Sequence, residues 1–441
     1  MPMGCMQETK HPNFIIFIGD DVGWNDIGAY GHPHVRTPNI DNLASEGIRF
    51  THAFLTISSC SPSRCSIMTG RYPHSTGAGE LHQPLPANQT VFAGLLQKAG
   101  YYTLSAGKWH LGDAARVNFD RIEHGTPSGC EFWEQVIRER PLDKPFFAWL
   151  ASFDAHRPYE ENTIPEPHKP EDVVVPPYLP DNPETREDLD MYYDEITRLD
   201  SYIGKVVDIL REQGELDNTF ILFMSDNGRP FPRCKTRLYD YGIQTPFIIR
   251  WPNHCEPGGI RENLVSSVDI APTLLNLAGV QIPASVQGVS FVPLLGSDKK
   301  PIRDYVFAEH NWHDYQAHER SVRNRNYLYI RNSFPQLNGN PPADAVAGIT
   351  YQKMIELYKQ NKLTEKQLDC FITPRPAEEL YDVHNDRYSF TNLVDDPASL
   401  KQLETMRKAL DEWIEKTDDR VPEHPTPDKF DRMTGQKLEE N

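Results

Sequence analysis

The run NFIIFI at Asn13–Ile18 constrains this chain more than any other stretch, because it offers apolar side chains to both faces of a strand. Side chains alternate along a strand, so such a run is stable only where both faces of its sheet are covered. FFAWLAS at Phe146–Ser152 and FILFMS at Phe220–Ser225 repeat the pattern, and shorter strands are expected at Tyr102–Ser105 and Pro246–Arg250. Between them lie stretches with helical apolar spacing, at Ile40–Glu46, Pro62–Thr69, Val91–Ala99 and Leu189–Glu212. The alternation predicts an α/β fold with a largely buried sheet. The proline-rich stretch Thr163–Pro183 is expected to be a surface loop.

With 441 residues the chain can bury one large core plus a satellite. A composition shift at Leu294–Pro301 separates a first domain over 10–295 from a smaller α+β domain over 300–441. In the latter, Tyr327–Arg331 reads as a strand. Leu400, Leu403, Met406, Leu410 and Trp413 give Leu400–Ile414 one apolar helical face.

The formal charge of −18 argues against nucleic acid as a partner, which would need surplus Lys and Arg. No apolar run is long enough for a transmembrane helix. Seven cysteines are too few for a disulfide framework. Gly4-Cys5 followed by polar residues suggests a trimmed lipoprotein start, hence a periplasmic, secreted or lipoprotein-anchored location. A cytoplasmic start or an expression leader is the alternative.

In open α/β sheets ligands sit beyond the carboxyl ends of strands. Here those ends carry Asp20-Asp21, Lys108 with His110, His156, and Asp226-Asn227. An Asp pair after one strand is ordinary turn chemistry, but polar groups after four strands are not. Asp20, Asp21, Asp226 and Asn227 offer oxygen donors, which suit Ca²⁺ or Mg²⁺ rather than zinc. The stretch SSCSPSRCSIMTG then places Cys60 before a helical pattern, where disulfide, metal clip, nucleophile and packed thiol are all open readings. Pro62 suits a first helical turn, whose free backbone N–H groups favour an anion. Arg64 adds a two-pronged charge for a tetrahedral oxyanion.

Together these segments resemble the formylglycine-dependent, type I sulfatases of the alkaline phosphatase superfamily. The resemblance runs through PNFIIFIGDDVGWNDIGAYG, the C-S-P-S-R…TGR signature at Cys60–Arg71, GKWHLG at Gly107–Gly112, FDAHRPY at Phe153–Tyr159, SDNG at Ser225–Gly228 and ELYD at Glu379–Asp382. It implies a large mixed, mostly parallel sheet of the alkaline phosphatase type. It also implies that Cys60 is oxidised to an aldehyde by a formylglycine-generating or anaerobic sulfatase-maturating enzyme. One hydroxyl of the aldehyde hydrate would attack sulfur, and the other would then expel sulfate.

By the same resemblance Asp20, Asp21, Asp226 and Asn227, with the modified Cys60, ligate one Ca²⁺. Arg64 and Lys108 steady the hydrate, and His110 handles its proton. His156 and Lys235 contact the sulfate and protonate the leaving group. The substrate implied is a sulfated saccharide. Glu80 and His82, with His310 and His313 of FAEHNWHDY, are expected to bind the sugar, with Trp312 as an apolar wall.

GELHQ at Gly79–Gln83, VPPYLPDNPETREDL at Val175–Leu189 and SDNGRPFP at Ser225–Pro232 are similar to the sulfamidase branch, which removes N-linked sulfate from glucosamine. Lys235 departs from it, because arginine is expected there. A phosphonate or phosphate ester hydrolase of the superfamily and a non-catalytic glycan binder are the competing readings. Cys65, Cys130, Cys234, Cys255 and Cys370 are expected to pack or sit free.

Overall fold

The computed structural model describes residues 11–296 and 300–439. Gly4 and Cys5, on which the lipoprotein expectation rests, lie outside the described residues. In chain order the strands of the first part are β1 (Asn13–Gly19), β2 (Ile48–Phe50), β3 (Ala53–Phe54), β4 (Tyr102–Gly107), β5 (Arg121–Glu123), β6 (Phe146–Ala151), β7 (Thr219–Ser225), β8 (Phe247–Arg250), β9 (Gly259–Arg261) and β10 (Val265–Ser266). Eight of them form one sheet in the order β5-β4-β6-β1-β7-β8-β2-β9. The five from β5 to β7 are mutually parallel, and β8 is antiparallel to both of its neighbours.

Alternation along β1 divides the core as the run NFIIFI requires. Ile15 and Phe17 face one layer, with the helices Pro38–Glu46, Trp133–Glu139 and Pro183–Glu212. Phe14, Ile16 and Ile18 face the other, with Cys60–Thr69, Phe92–Lys98 and Ile270–Leu277. Both faces are therefore dry, as a mostly parallel sheet demands.

The long helix begins at Pro183, not at the expected Leu189. Pro183 occupies its first turn, where a missing N–H costs nothing, and Asn182 accepts from the Thr185 N–H at 2.9 Å. Ahead of it, 163–182 is loop apart from one short turn at Pro170–Asp172.

A second, antiparallel sheet follows, in the order β11 (Val306–His310), β12 (Glu319–Arg323), β13 (Tyr327–Asn332), β14 (Glu378–Asp382). One of its faces packs on Phe54, Leu238, Tyr239 and Ile243 of the first part. The other is covered by Leu403, Met406, Leu410 and Trp413 of the helix Leu400–Thr417. Leu400, expected on that apolar face, is 52% exposed because it opens the helix beyond the sheet.

Between β13 and β14 the chain leaves the second sheet. Val346, Tyr351, Met354 and Ile355 of the helices Ala343–Ala347 and Ile349–Lys359 join the core beside the long helix. The 300–441 segment thus divides its packing between two bodies.

Candidate active site

The expected rim exists because the strands that end in polar residues are adjacent and parallel: β4, β6, β1 and β7. Lys108 follows β4, His156 lies beyond β6, Asp20 and Asp21 follow β1, and Asp226 and Asn227 follow β7. Gly107 lets β4 and β6 meet at this edge. It adopts φ +99°, and a Cβ there would stand 1.9 Å from the Ala151 carbonyl oxygen. Asp21, His82, His110 and Thr236 also take positive φ, between 49° and 67°. Such backbone strain in side-chain-bearing residues collects where the fold aims groups at a site.

The Cys60–Thr69 helix starts at Cys60 itself, two residues before the expected Pro62, because Ser59 is the extended residue that precedes it. Every residue of this helix is buried, Arg64 included. The Arg64 guanidinium donates to Asp226 Oδ2 through Nε at 2.7 Å and through Nη1 to the Lys108 carbonyl at 3.2 Å. Lys108 Nζ donates to Asp20 Oδ2 in a short contact. Lys235 Nζ donates to Asp21 Oδ2 at 2.7 Å. Asn227 Nδ2 donates to Asp226 Oδ1 at 2.9 Å and, in a short contact, to Asp21 Oδ1.

These pairings set the charges. Burial works to raise the Asp20 pKa, but Lys108, His156 and Arg64 together hold it far below the usual carboxylate range. Burial dominates at Asp21 and Asp226, whose pKa values lie above the ordinary range. Burial is also the main opponent of the Lys235 charge, yet Asp21 and Asp344 keep that ammonium's pKa well above its usual value. His110 is depressed to about 2 by burial with Lys108 and Arg64 nearby, so its ring is neutral. Burial raises the Cys60 pKa, which keeps an unmodified thiol protonated.

The residues fit a hard cation. Ligand atoms of Asp20, Cys60 and Asp226 lie within 4.8 Å of one another. Asp20 Oδ1 and Asn227 Oδ1 are buried with no hydrogen-bond partner, although buried oxygens are normally paired. The oxygens of Asp20, Asp226 and Asn227, two of them unpaired, are what Ca²⁺ would complete.

Of the residues expected to bind sugar, His82 and His313 reach this cluster. His82 is exposed and its ring stands edge-on to His110, with centroids 5.2 Å apart. The His313 Nδ1 lies 2.7 Å from the Ser59 hydroxyl, next to Cys60. Glu80 and His310 are engaged elsewhere. Glu80 accepts from the Thr426 hydroxyl at 2.8 Å and from Gln83 Nε2 at 3.0 Å, and lines an outer groove with His74 and Arg320. His310 is buried against Glu319, 3.1 Å from its carboxylate. The Trp312 indole N–H donates to the Pro427 carbonyl at 2.8 Å, so the tail holds that ring.

One group at the rim escaped sequence reasoning. Asp344 Oδ2 lies 3.4 Å from His156 Nε2 and 3.7 Å from Lys235 Nζ. Its context, PPADAV, reads as a helix start, and no local signal marks it. The remaining cysteines, Cys65, Cys130, Cys234, Cys255 and Cys370, are buried and free, as expected.

Comparison with known proteins agrees with this arrangement. The sulfatase family model matches residues 12–129 and 130–280, and the model described as N-sulphoglucosamine sulphohydrolase, C-terminal, matches 234–334. An ulvan-active sulfatase of Formosa agariphila is 31% identical, over 92% of this chain and 75% of its own. The human N-sulphoglucosamine sulphohydrolase is 29% identical, over 92% of this chain and 90% of its own. A solved structure in complex with its substrate D-glucosamine-2-N,6-O-disulfate superposes with a TM-score of 0.70 at 20% identity, covering 94% of this chain and 99% of that one.

Proposed function

We propose, from the premise that this chain belongs to the sulfatase family, that it removes sulfate from a sulfated saccharide with a formylglycine made from Cys60 and one bound Ca²⁺. The chain is a type I sulfatase of the alkaline phosphatase superfamily, near the sulfamidase branch, and so a sulfuric ester hydrolase. The observation that carries the finer reading is Cys60 at the start of a buried helix, beside Asp20 and Asp226 and their unpaired oxygen neighbours.

A thiol held protonated is a poor nucleophile. The aldehyde hydrate would supply two hydroxyls at one carbon, one to attack sulfur and one to release sulfate. The cation, held by Asp20, Asp21, Asp226, Asn227 and modified Cys60, would draw the anionic ester in and polarise it.

The chain's own residues divide the rest. Arg64, locked on Asp226, holds a fixed positive charge beneath the Cys60 turn. Lys108 adds a second beside Asp20. The neutral His110 ring is too weak a base to hold a proton and can instead hydrogen-bond the hydrate. Lys235 stays cationic and serves better as a clamp on sulfate than as an acid. That leaves the leaving group's proton to His156, whose Nδ1 is 2.5 Å from the Arg157 carbonyl and whose Nε2 lies 3.4 Å from Asp344 Oδ2. The positive groups pre-organised around developing charge are the largest expected contribution to rate.

N-sulfated glucosamine is the second reading, supported by the family match over 234–334. The partners proposed are the sulfated saccharide and the maturating enzyme that oxidises Cys60. The test is a desulfation screen against defined N-sulfated and O-sulfated saccharides, alongside peptide mass spectrometry of the Cys60 peptide. Sulfate release from a saccharide by protein carrying formylglycine supports the proposal. Full activity from protein with only the free thiol would sink its mechanism.

A further inference from the structure

Asp344 reaches the rim from the excursion between β13 and β14. Both of its carboxylate oxygens have a clear situation. Oδ1 accepts from the Ala345 N–H at 2.8 Å, which fixes the side chain. Oδ2 is buried, has no hydrogen-bond partner, and lies 3.4 Å from His156 Nε2 and 3.7 Å from Lys235 Nζ.

The backbone around it is tied down. The Ala343 N–H donates to Asp314 Oδ2 at 3.0 Å. Asp188 ties the two segments together, taking the Thr350 hydroxyl at 2.5 Å and Arg157 bidentately at 2.6 and 2.8 Å. Arg157 adjoins His156, so Asp344 and the proposed acid are braced by one carboxylate. Burial would raise the Asp344 pKa, but Lys235, His156 and His313 keep it below the ordinary range, so the group is an anion.

A second cation could be imagined here, since ligand atoms of Asp21, His156 and Asp344 lie within 4.8 Å of one another. The Lys235 ammonium already takes that place, 2.7 Å from Asp21 and 3.7 Å from Asp344. What is left over is an acceptor beside His156 and Lys235, the groups proposed to meet the leaving group and the sulfate. An unpaired buried acceptor is costly until something donates to it.

We propose that Asp344 determines specificity by reading the sugar beside the scissile sulfate: Oδ2 accepts from a ring hydroxyl or amine and rejects a ring that presents a carboxylate or second sulfate there. The inference rests on the saccharide reading of the site given above. Acceptance and rejection come from the same atom, because an anion that welcomes a donor repels a like charge.

The experiment compares wild type, Asp344→Asn and Asp344→Ala, matched for formylglycine content, on four probes. These are glucosamine N-sulfate, glucosamine 6-sulfate, a 2-O-sulfated uronate and 4-methylumbelliferyl sulfate, which has neither donor nor ring acid. Wild type is expected to favour at least one hexosamine sulfate over the uronate. In Asp344→Asn, kcat/KM for that hexosamine sulfate should fall on the order of 10-fold more than for the aryl sulfate, mainly through KM. The hexosamine-to-uronate ratio should fall with it. Asp344→Ala should show the same ordering, which guards against an amide that partly replaces the carboxylate.

Equal losses on the aryl and hexosamine sulfates would overturn the inference, since Asp344 would then act only through His156 and Lys235. So would a wild type that takes the uronate as readily as the hexosamines. A wild type that cleaves the aryl sulfate but no saccharide is a different failure: it overturns the saccharide reading itself, and the inference with it.

Discussion

At the carboxyl ends of β1, β4, β6 and β7, Asp20, Asp21 and Asp226 face Arg64, Lys108 and Lys235, all buried. Where the second sheet meets the first part, Glu319 faces Arg237 at 3.3 Å, Arg375 at 2.6 Å and His310 at 3.1 Å, and is equally buried. Composition does not separate the two regions. Their surroundings do. The second encloses a cavity of about 20 Å³, room for one water, and Glu319 there is met from three sides. The rim instead leaves Asp20 Oδ1 and Asn227 Oδ1 without partners, holds residues in left-handed backbone, and receives the start of a helix. Around Glu319, Arg237 Nε has no hydrogen-bond partner, but the carboxylate itself is fully engaged, and such a carboxylate fixes two bodies together. Oxygens left without a donor at the rim are suited to a cation.

That contrast can be broken most decisively at Cys60. Cys60→Ala should lose activity by on the order of 10⁴-fold or more with little change in unfolding midpoint, read by sulfate release and urea denaturation. A variant that kept its activity would place the reaction elsewhere.

Next in size, Asp20→Asn and Asp226→Asn should each cost roughly 10²- to 10³-fold in kcat by weakening the oxygen set. Chelation should mimic them in wild type, and added Ca²⁺ should restore the rate. Elemental analysis finding no metal in fully active protein would contradict both.

At the other region the effect should change kind. Glu319→Gln strips Arg237 and Arg375 of a shared counter-charge and should cost roughly 3 kcal/mol of stability. Turnover per folded molecule should stay within about 3-fold. A variant with wild-type stability and crippled turnover would erase the distinction between the two regions.

Smaller again, His82→Ala and His313→Ala should reduce cleavage of a saccharide sulfate by about 10-fold more than that of an aryl sulfate, which uses only the sulfate pocket. Equal losses would remove both residues from the sugar side.

The smallest effect is on pH. Burial lowers His32 and His52 to about 4, His318 to about 3 and His110 to about 2, against 6.5 when unfolded. Below about pH 6.5 the unfolded chain takes up protons that the folded chain refuses, so stability present at neutral pH is lost as pH falls toward 4. Thermal unfolding midpoints should drop by several degrees between pH 7 and pH 5. Asp190, raised to about 7, and Glu195, raised to about 9, oppose this trend, so the rings are read one by one by NMR, where imidazoles already cationic at pH 5 would show that they are not held neutral.

Much of this was written in the chain locally. NFIIFI, FFAWLAS and FILFMS demanded a sheet covered on both faces, and the polar residues after each run placed the rim. Those signals are short-range: a strand, then a turn, then a ligand. Asp344 was illegible because its meaning depends on the excursion between β13 and β14 returning to the first core, a pairing across more than 100 residues with Lys235 that no local pattern encodes. Glu80 and His310 are the opposite case. Their neighbourhood in sequence is near the site, but Thr426 far along the chain claims Glu80, and Glu319, paired with His310 across β11 and β12, claims His310. The early start of the long helix followed from Asn182 capping, a signal hidden inside a proline-rich stretch.

The burial of Cys60 also fixes a timetable. Only 2% of the residue meets solvent in the folded chain, and Ser59 beside it is bridged to His313, which is synthesised some 250 residues later. A maturating enzyme large enough to carry its own active site cannot reach that sulfur once the helix has docked. If Cys60 is oxidised as proposed, oxidation and folding run as rivals on a newly made chain, and whichever is faster decides whether a molecule becomes a catalyst or a well-folded dead end. The yield of active protein is then set by the clock of synthesis as much as by the stability of the product.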